Sequence, residues 1–140
     1  MVKVRLFCLL PLLGVFTVAC GLYQHPYSEE AATVPVAWVT AEEQEDEGKM
    51  WTLLAKKSRV LDPKDGADRH WTLDDYRLIA WKASDVRYFY RITYSNPRGV
   101  PVTEEMAVIQ TNQGWKRTTY ADLTNFSFHI RHLAPVVIRP

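Results

Sequence analysis

Between Val86 and Tyr94 the chain alternates with a period of two. Val86, Tyr88, Tyr90, Ile92 and Tyr94 interleave with Arg87, Phe89, Arg91 and Thr93. Such a run, rich in β-branched and aromatic residues, is pleated backbone whose successive side chains leave on opposite faces. A lone strand cannot satisfy its backbone groups, so partners must lie nearby, and the flanking residues predict them. Asn96-Pro97-Arg98-Gly99 carries the residues of a type I turn. Val102–Thr111 then returns as a second strand. Asn112-Gln113-Gly114 reads as a three-residue connection with glycine in the left-handed position, and Trp115–Tyr120 as a third strand. Upstream, Tyr76–Ala83 precedes the alternating run through a Ser84-Asp85 turn, and Phe126, Phe128 and Ile130 alternate as one more strand. The prediction is a four- to five-stranded antiparallel meander.

The turns imply a register. Centring the first hairpin on Pro97-Arg98 sets Arg91 opposite Glu104, Phe89 opposite Met106 and Tyr88 opposite Ala107. Centring the second on Gln113 sets Ile109 opposite Arg117 and Met106 opposite Tyr120. One face then gathers Val86, Tyr88, Tyr90, Ile92, Ala107, Ile109 and Trp115 for a helix to cover. The other carries Arg87, Arg91, Glu104, Lys116 and Thr118 around Phe89, Met106, Val108 and Tyr120. Arg87, Phe89, Arg91, Glu104, Lys116 and Tyr120 are the candidate ligand or partner face, since arginine and aromatic rows suit flat or anionic groups. A core on one side and solvated stems on the other would give the same pattern. A slip of one residue would exchange the faces.

The covering helix is expected at about Ala41–Ser58. Thr40 and Glu43 have capping-box spacing, Glu42, Glu43, Glu45 and Asp46 crowd the start, and Lys56, Lys57 and Arg59 sit at the far end, where the helix dipole favours them. Trp51, Leu54 and Ala55 give its second half an apolar face, while the acidic first half should stand in water. Gly48 marks a point where it could break. Val34–Val39 holds Pro35 and reads as an edge strand or docking segment. The fold class expected is therefore α+β: one main helix packed on the meander. The stretch Val86–Tyr120, above all Tyr94 to Val102 and Gly114-Trp115-Lys116, resembles the cystatin-type roll of the nuclear-transport-factor-two-like superfamily. That resemblance implies a curved sheet around a helix.

Ahead of this body stands a different kind of sequence. Lys3 and Arg5 are followed by an uncharged run, Leu6–Cys20. A basic start and a short apolar stretch ending in small residues describe a secretory signal. A membrane span needs about 20 apolar residues, more than this run supplies, and Pro11 and Gly14 interrupt it. Phe16-Thr17-Val18-Ala19-Cys20 resembles the lipobox of bacterial lipoproteins, with Thr17 where leucine is usual. The resemblance implies removal of residues 1–19 and acylation of Cys20, palmitate being a typical chain. It also implies a cell-envelope location: the outer membrane of a diderm, since Gly21 and no aspartate follows the cysteine, or the outer face of a monoderm plasma membrane. Residues 20–33 would be the lipidated cysteine and its tether, with Pro26, Ser28, Glu29 and Glu30 in place of aliphatic residues, and 34–140 a single domain.

Charge and chemistry narrow the function. Two of the 17 basic residues lie in the signal, so the remainder carries 15 against 16 acidic ones, without the basic excess of a nucleic-acid binder. Of the two cysteines, Cys8 leaves with the signal and Cys20 carries lipid, so no disulfide is expected and packing must hold the domain. Five tryptophans, seven tyrosines and five phenylalanines supply the area. Asp62, Asp65 and Asp68 lack the spacing of a calcium loop, and His129 and His132 would point apart on a strand. No cofactor or metal is implied, and no catalytic set converges. The function expected is a membrane-anchored envelope lipoprotein whose non-catalytic domain binds another envelope protein. Two alternatives stand beside it. One is a small-molecule-binding or catalytic roll-type pocket using Tyr90, Glu105 or His70; the other is a pilotin-like secretion accessory.

Overall fold

The computed structural model describes residues 26–56, 68–119 and 123–140. The fold is α+β. Helices α1 (Glu29–Glu43) and α2 (Glu47–Leu53) precede β1 (Tyr76–Ser84), β2 (Arg87–Ser95), β3 (Pro101–Thr111) and β4 (Gly114–Arg117). A short helix α3 (Phe126–Ile130) and strand β5 (Pro135–Arg139) end the chain. The five strands form one antiparallel sheet in the order β4-β3-β2-β1-β5. Cys20 and Tyr120 lie outside the described residues, as do the basic residues Lys57 and Arg59.

The main helix starts earlier than its charges suggested. Ser28, not Thr40, caps it: Ser28 Oγ accepts from the Ala31 N–H at 3.2 Å, and Glu29 and Glu30 occupy the first turn. Thr40 sits inside α1 and donates its hydroxyl to the Val36 carbonyl. Pro35, which argued for an edge strand, lies within the helix. A proline there forgoes one backbone bond at about 3 kcal/mol. Burial of Val34, Trp38 and Val39 on the same helix more than offsets this, at about 1.5–3 kcal/mol for each large apolar side chain.

The helix breaks at Glu45 instead of Gly48. The Asp46 N–H donates to the Ala41 carbonyl (2.8 Å) and the Glu45 N–H to that of Glu42 (3.2 Å), with Glu45 left-handed at φ 53°. This is a Schellman closure built on glutamate where glycine is usual. Asp46 Oδ1 then caps α2 by accepting from the Lys49 N–H at 2.9 Å. Glu42 and Glu43, expected in water, are buried at the close of α1.

Strands β1 to β4 and their order follow the expected meander, but the β2–β3 register differs by one residue. Arg91 faces Glu105, Phe89 faces Ala107 and Tyr88 faces Val108. The loop is the reason. Gly99 adopts φ 76°, its N–H donates to the Asn96 carbonyl at 2.8 Å, and the Asn96 N–H donates to that of Val100 at 2.9 Å. A type I turn followed by a left-handed glycine makes a three-residue loop, Pro97 to Gly99, where two residues were assumed. The second hairpin differs in the opposite sense. Thr111 pairs with Gly114 and Val108 with Arg117, leaving a two-residue loop of Asn112 and Gln113. The front face, under α1, therefore carries Tyr88, Tyr90, Ile92 and Tyr94 as expected, but Met106 and Val108 in place of Ala107 and Ile109. Val86 stays exposed.

The back face has its own cover. Phe126 meets Trp81 and Phe89 edge-on at ring distances of 5.9 and 5.8 Å. The Phe-Ser-Phe-His-Ile run is a helical turn and not a strand, so Phe126 and Ile130, four apart, share the inward side and Phe128 between them stays exposed. The fifth strand is instead the proline-bracketed tail, paired with β1. Among the described residues no helix is long and apolar enough to cross a membrane.

Relief of the left-handed strain gives a first prediction. Glu45→Gly should raise the unfolding free energy by about 1 kcal/mol, read as a higher urea midpoint at unchanged slope. A midpoint that stays or falls contradicts the assignment of strain to Glu45.

Candidate functional site

The six residues predicted to share a binding face do not gather on one. Arg87, Phe89, Arg91 and Lys116 are on the back of the sheet, Glu104 is on the front, and Tyr120 lies outside the described residues. Phe89 is buried under Phe126 and stacks with His129 at 5.4 Å and 13° between planes. Arg91 turns inward: its Nε and Nη2 donate to Glu105 Oε1 at 3.0 and 2.7 Å, and its guanidinium lies over Trp81 and Phe126. Lys116 reaches round the sheet edge to the Thr52 carbonyl. Nor do the three residues suggested for a roll-type pocket converge. Tyr90 is fully enclosed, Glu105 is the partner of Arg91, and His70 is exposed in the segment before β1. Among the described residues no three metal-binding side chains cluster.

Two features were not foreseen. The first is a polar tie between α1 and the sheet. Tyr94 Oη lies 2.9 Å from Glu43 Oε1 and 2.8 Å from Glu104 Oε1. A phenol has one proton, so it donates to one of the two carboxylates at a time. Burial pushes the Tyr94 phenol far above its ordinary range, the charge and hydrogen bond of Glu104 adding to it and those of Glu43 following. It is thus a weaker acid than free tyrosine, suited to holding a hydrogen bond and unsuited to giving up a proton. The surrounding segment is drawn in with it. Trp71 packs on Tyr94 at 5.7 Å, the Asp68 N–H donates to the Glu43 carbonyl, and the Gln44 amide donates to the Trp71 carbonyl at 2.7 Å.

The second feature is an open apolar trough of about 470 Å³ beside the first half of α1. Ala32, Thr33, Val36 and Ala37 form its helical wall, Tyr76 and Leu78 of β1 and Ile138 of β5 its sheet wall, and Tyr27 and Glu29 contribute at the start of the helix. Small side chains keep the helical wall shallow. The helix itself packs over β2, β3 and β4, so the β1–β5 half of the front face carries less cover. The signal was present in the sequence: 32, 33, 36 and 37 form one stripe once residues 29–43 are read as helix. Reading Val34–Val39 as a strand concealed it. The volume lies in the range of ligand cavities, about 300–1,000 Å³.

Comparison with protein-family models, curated proteins and solved structures finds no match to this chain.

The polar tie carries the second prediction. Tyr94→Phe removes the donor that both carboxylates share and should cost about 1–3 kcal/mol near neutral pH. Burial, with Tyr88 and Tyr27 nearby, also holds the Tyr90 phenol above the ordinary range. Above pH about 10 the unfolded chain loses tyrosine protons that the native state retains, so native stability falls as pH rises from there. Urea titrations between neutral pH and pH 11 should show that decline, shallower in Tyr94→Phe. Equal slopes in both proteins would contradict the role given to Tyr94.

Proposed function

We propose that this protein is a lipid-anchored module of a bacterial cell envelope that binds another envelope protein through the outer edge of β5 and performs no catalysis of its own. The anchoring half of the reading rests on the lipobox-like Phe16-Thr17-Val18-Ala19-Cys20. Five residues lie between Cys20 and Pro26, where the described body begins, so the six steps of chain allow at most about 20 Å between them. A body on so short a lead works at the membrane surface. In a diderm this is the outer membrane; in a monoderm it is the outer face of the plasma membrane.

The observation that supports the binding half is the asymmetry of the sheet edges. On the β4 side the chain following α2 takes up the edge: Leu54 bridges to Arg117 in parallel, and the Ala55 N–H donates to the Arg117 carbonyl at 2.8 Å. On the other side, β5 pairs among the described residues only with β1, and Val137 is half exposed there. A strand in that position offers a row of backbone donors and acceptors to an incoming strand. Pro135 and Pro140 bracket it, which limits the pairing to a short segment and discourages indiscriminate association.

Two measurements test this. Mass spectrometry of the amino terminus should find acyl chains on Cys20 that Cys20→Ser lacks. A photoreactive residue at Val137 should label one envelope protein in intact cells, and Val137→Lys, a charge at the edge of an otherwise unchanged fold, should abolish the association in a pull-down. Labelling with no preferred partner, or an association indifferent to Val137→Lys, would refute the edge as the binding surface.

A further inference from the structure

We infer that the apolar trough between α1 and β5 seats one acyl chain of the protein's own Cys20 whenever the protein is in water. The inference rests on the lipid-anchor reading above and adds a binding site to it.

The chemistry of the walls selects the ligand. Ala32, Val36, Ala37, Leu78 and Ile138 present aliphatic carbon, and Tyr76 adds an aromatic ring. Such walls recognise methylenes and offer little to a polar headgroup. The position selects the source. Tyr27 lines the trough and stands seven residues after Cys20, a separation the chain can span by no more than about 25 Å. A chain tethered at that range faces the trough at millimolar effective concentration, about the value for a short flexible link. A free lipid at trace concentration in water cannot match it.

Magnitudes define when the seat is used. Each methylene taken fully out of water contributes about 0.8 kcal/mol. An open trough covers a chain on one side and returns part of that. A bilayer surrounds the chain and returns all of it. The trough therefore wins against water and loses to the membrane: the chain is sheltered while the protein is off the bilayer and leaves the trough when it inserts. The small residues that hold the helical wall back are what make the seat, so a large side chain at Ala37 should fill it.

The test uses the mature lipidated protein, beginning at Cys20, made by cells fed a diazirine-bearing fatty acid. Mass spectrometry first establishes the acyl group on Cys20. Irradiation in detergent-free buffer should then link that chain within the same molecule to the peptide carrying Ala32–Ala37 or to that carrying Tyr76 and Leu78. The adduct should vanish when the protein is in liposomes. In Ala37→Trp, with circular dichroism unchanged, it should fall about tenfold, the equivalent of two methylenes displaced. Ala37→Ser should retain it. Absence of an acyl group on Cys20 overturns the anchor and this inference together. An acylated protein that forms no adduct at the trough, or forms it equally in Ala37→Trp, overturns this inference alone. Added free photoreactive fatty acid that labels the trough of acylated wild type in water as strongly as that of full-length Cys20→Ser also overturns it, because a seat filled in cis would exclude the free chain.

Discussion

A single left-handed glycine decides which residues of β3 meet the helix. With Gly99 at φ 76° the hairpin loop holds three residues, and Met106 and Val108 turn toward α1 while Ala107 turns to the back. The same parity carries Glu104 to the front, where it reaches Tyr94, and leaves Glu105 behind to receive Arg91. A residue with a Cβ at position 99 would resist that conformation. The hairpin would then be pressed toward the alternative register, with Met106 under Phe126 and a carboxylate withdrawn from the tyrosine. The core, the polar tie and the back-face ion pair therefore share one cause, and it lies in a loop that touches none of them.

That dependence explains what the sequence disclosed. Parity along one strand is a local property, so the front set Tyr88, Tyr90, Ile92 and Tyr94 was readable directly. Parity between strands depends on loop length, and Asn96-Pro97-Arg98-Gly99 names a turn type without saying whether the glycine belongs inside the loop or after it. The two hairpin registers differ from the expected ones by one residue in opposite senses, so β4 keeps its expected faces, with Trp115 on the front against Tyr88. The helix failed for another reason. Charge pattern and Pro35 argued locally for a start at Ala41, and tertiary burial of Val34, Trp38 and Val39 outweighed both. Phe126 to Ile130 is too short for a period of two to be told from a period near four. The candidate face dissolved because pairing assigns Glu104 elsewhere and α3 covers Phe89; neither fact is local to the residues concerned.

The two unforeseen features belong together. At its C-terminal end α1 is held by Glu43 to Tyr94, and in its middle the Trp38 ring lies 4.0 Å from the guanidinium of Arg117 on β4. Both holds pull the helix toward the β2–β4 side. A helix held there leaves β1 and β5 with less cover, and the uncovered strip is the floor of the trough. Polar geometry at one end of the helix thus creates apolar space at the other. Filling that space would need only larger residues at 32, 33 and 37, leucine or methionine costing only about a few tenths of a kcal/mol of helix propensity at each alanine.

The chain's own economy then bears on function. From Pro26 onward the chain has 14 aromatic residues, material enough to close a strip of sheet, yet it keeps alanine and threonine along the helix stripe beside it. An apolar concavity exposed to water loses the hydrophobic contribution that filling it would bring. The loss is recovered when something apolar occupies the trough, and recovery is most reliable when the occupant is part of the same molecule. The entrance of the chain at Tyr27, on the rim of that trough, places the first residues of the body where a lipid-bearing N-terminus would have to arrive. On the proposals above, one arrangement would serve two demands: the β5 edge, which among the described residues pairs only with β1, would be left to a protein partner, and the surface next to it would accommodate a methylene chain that water would otherwise drive into aggregates.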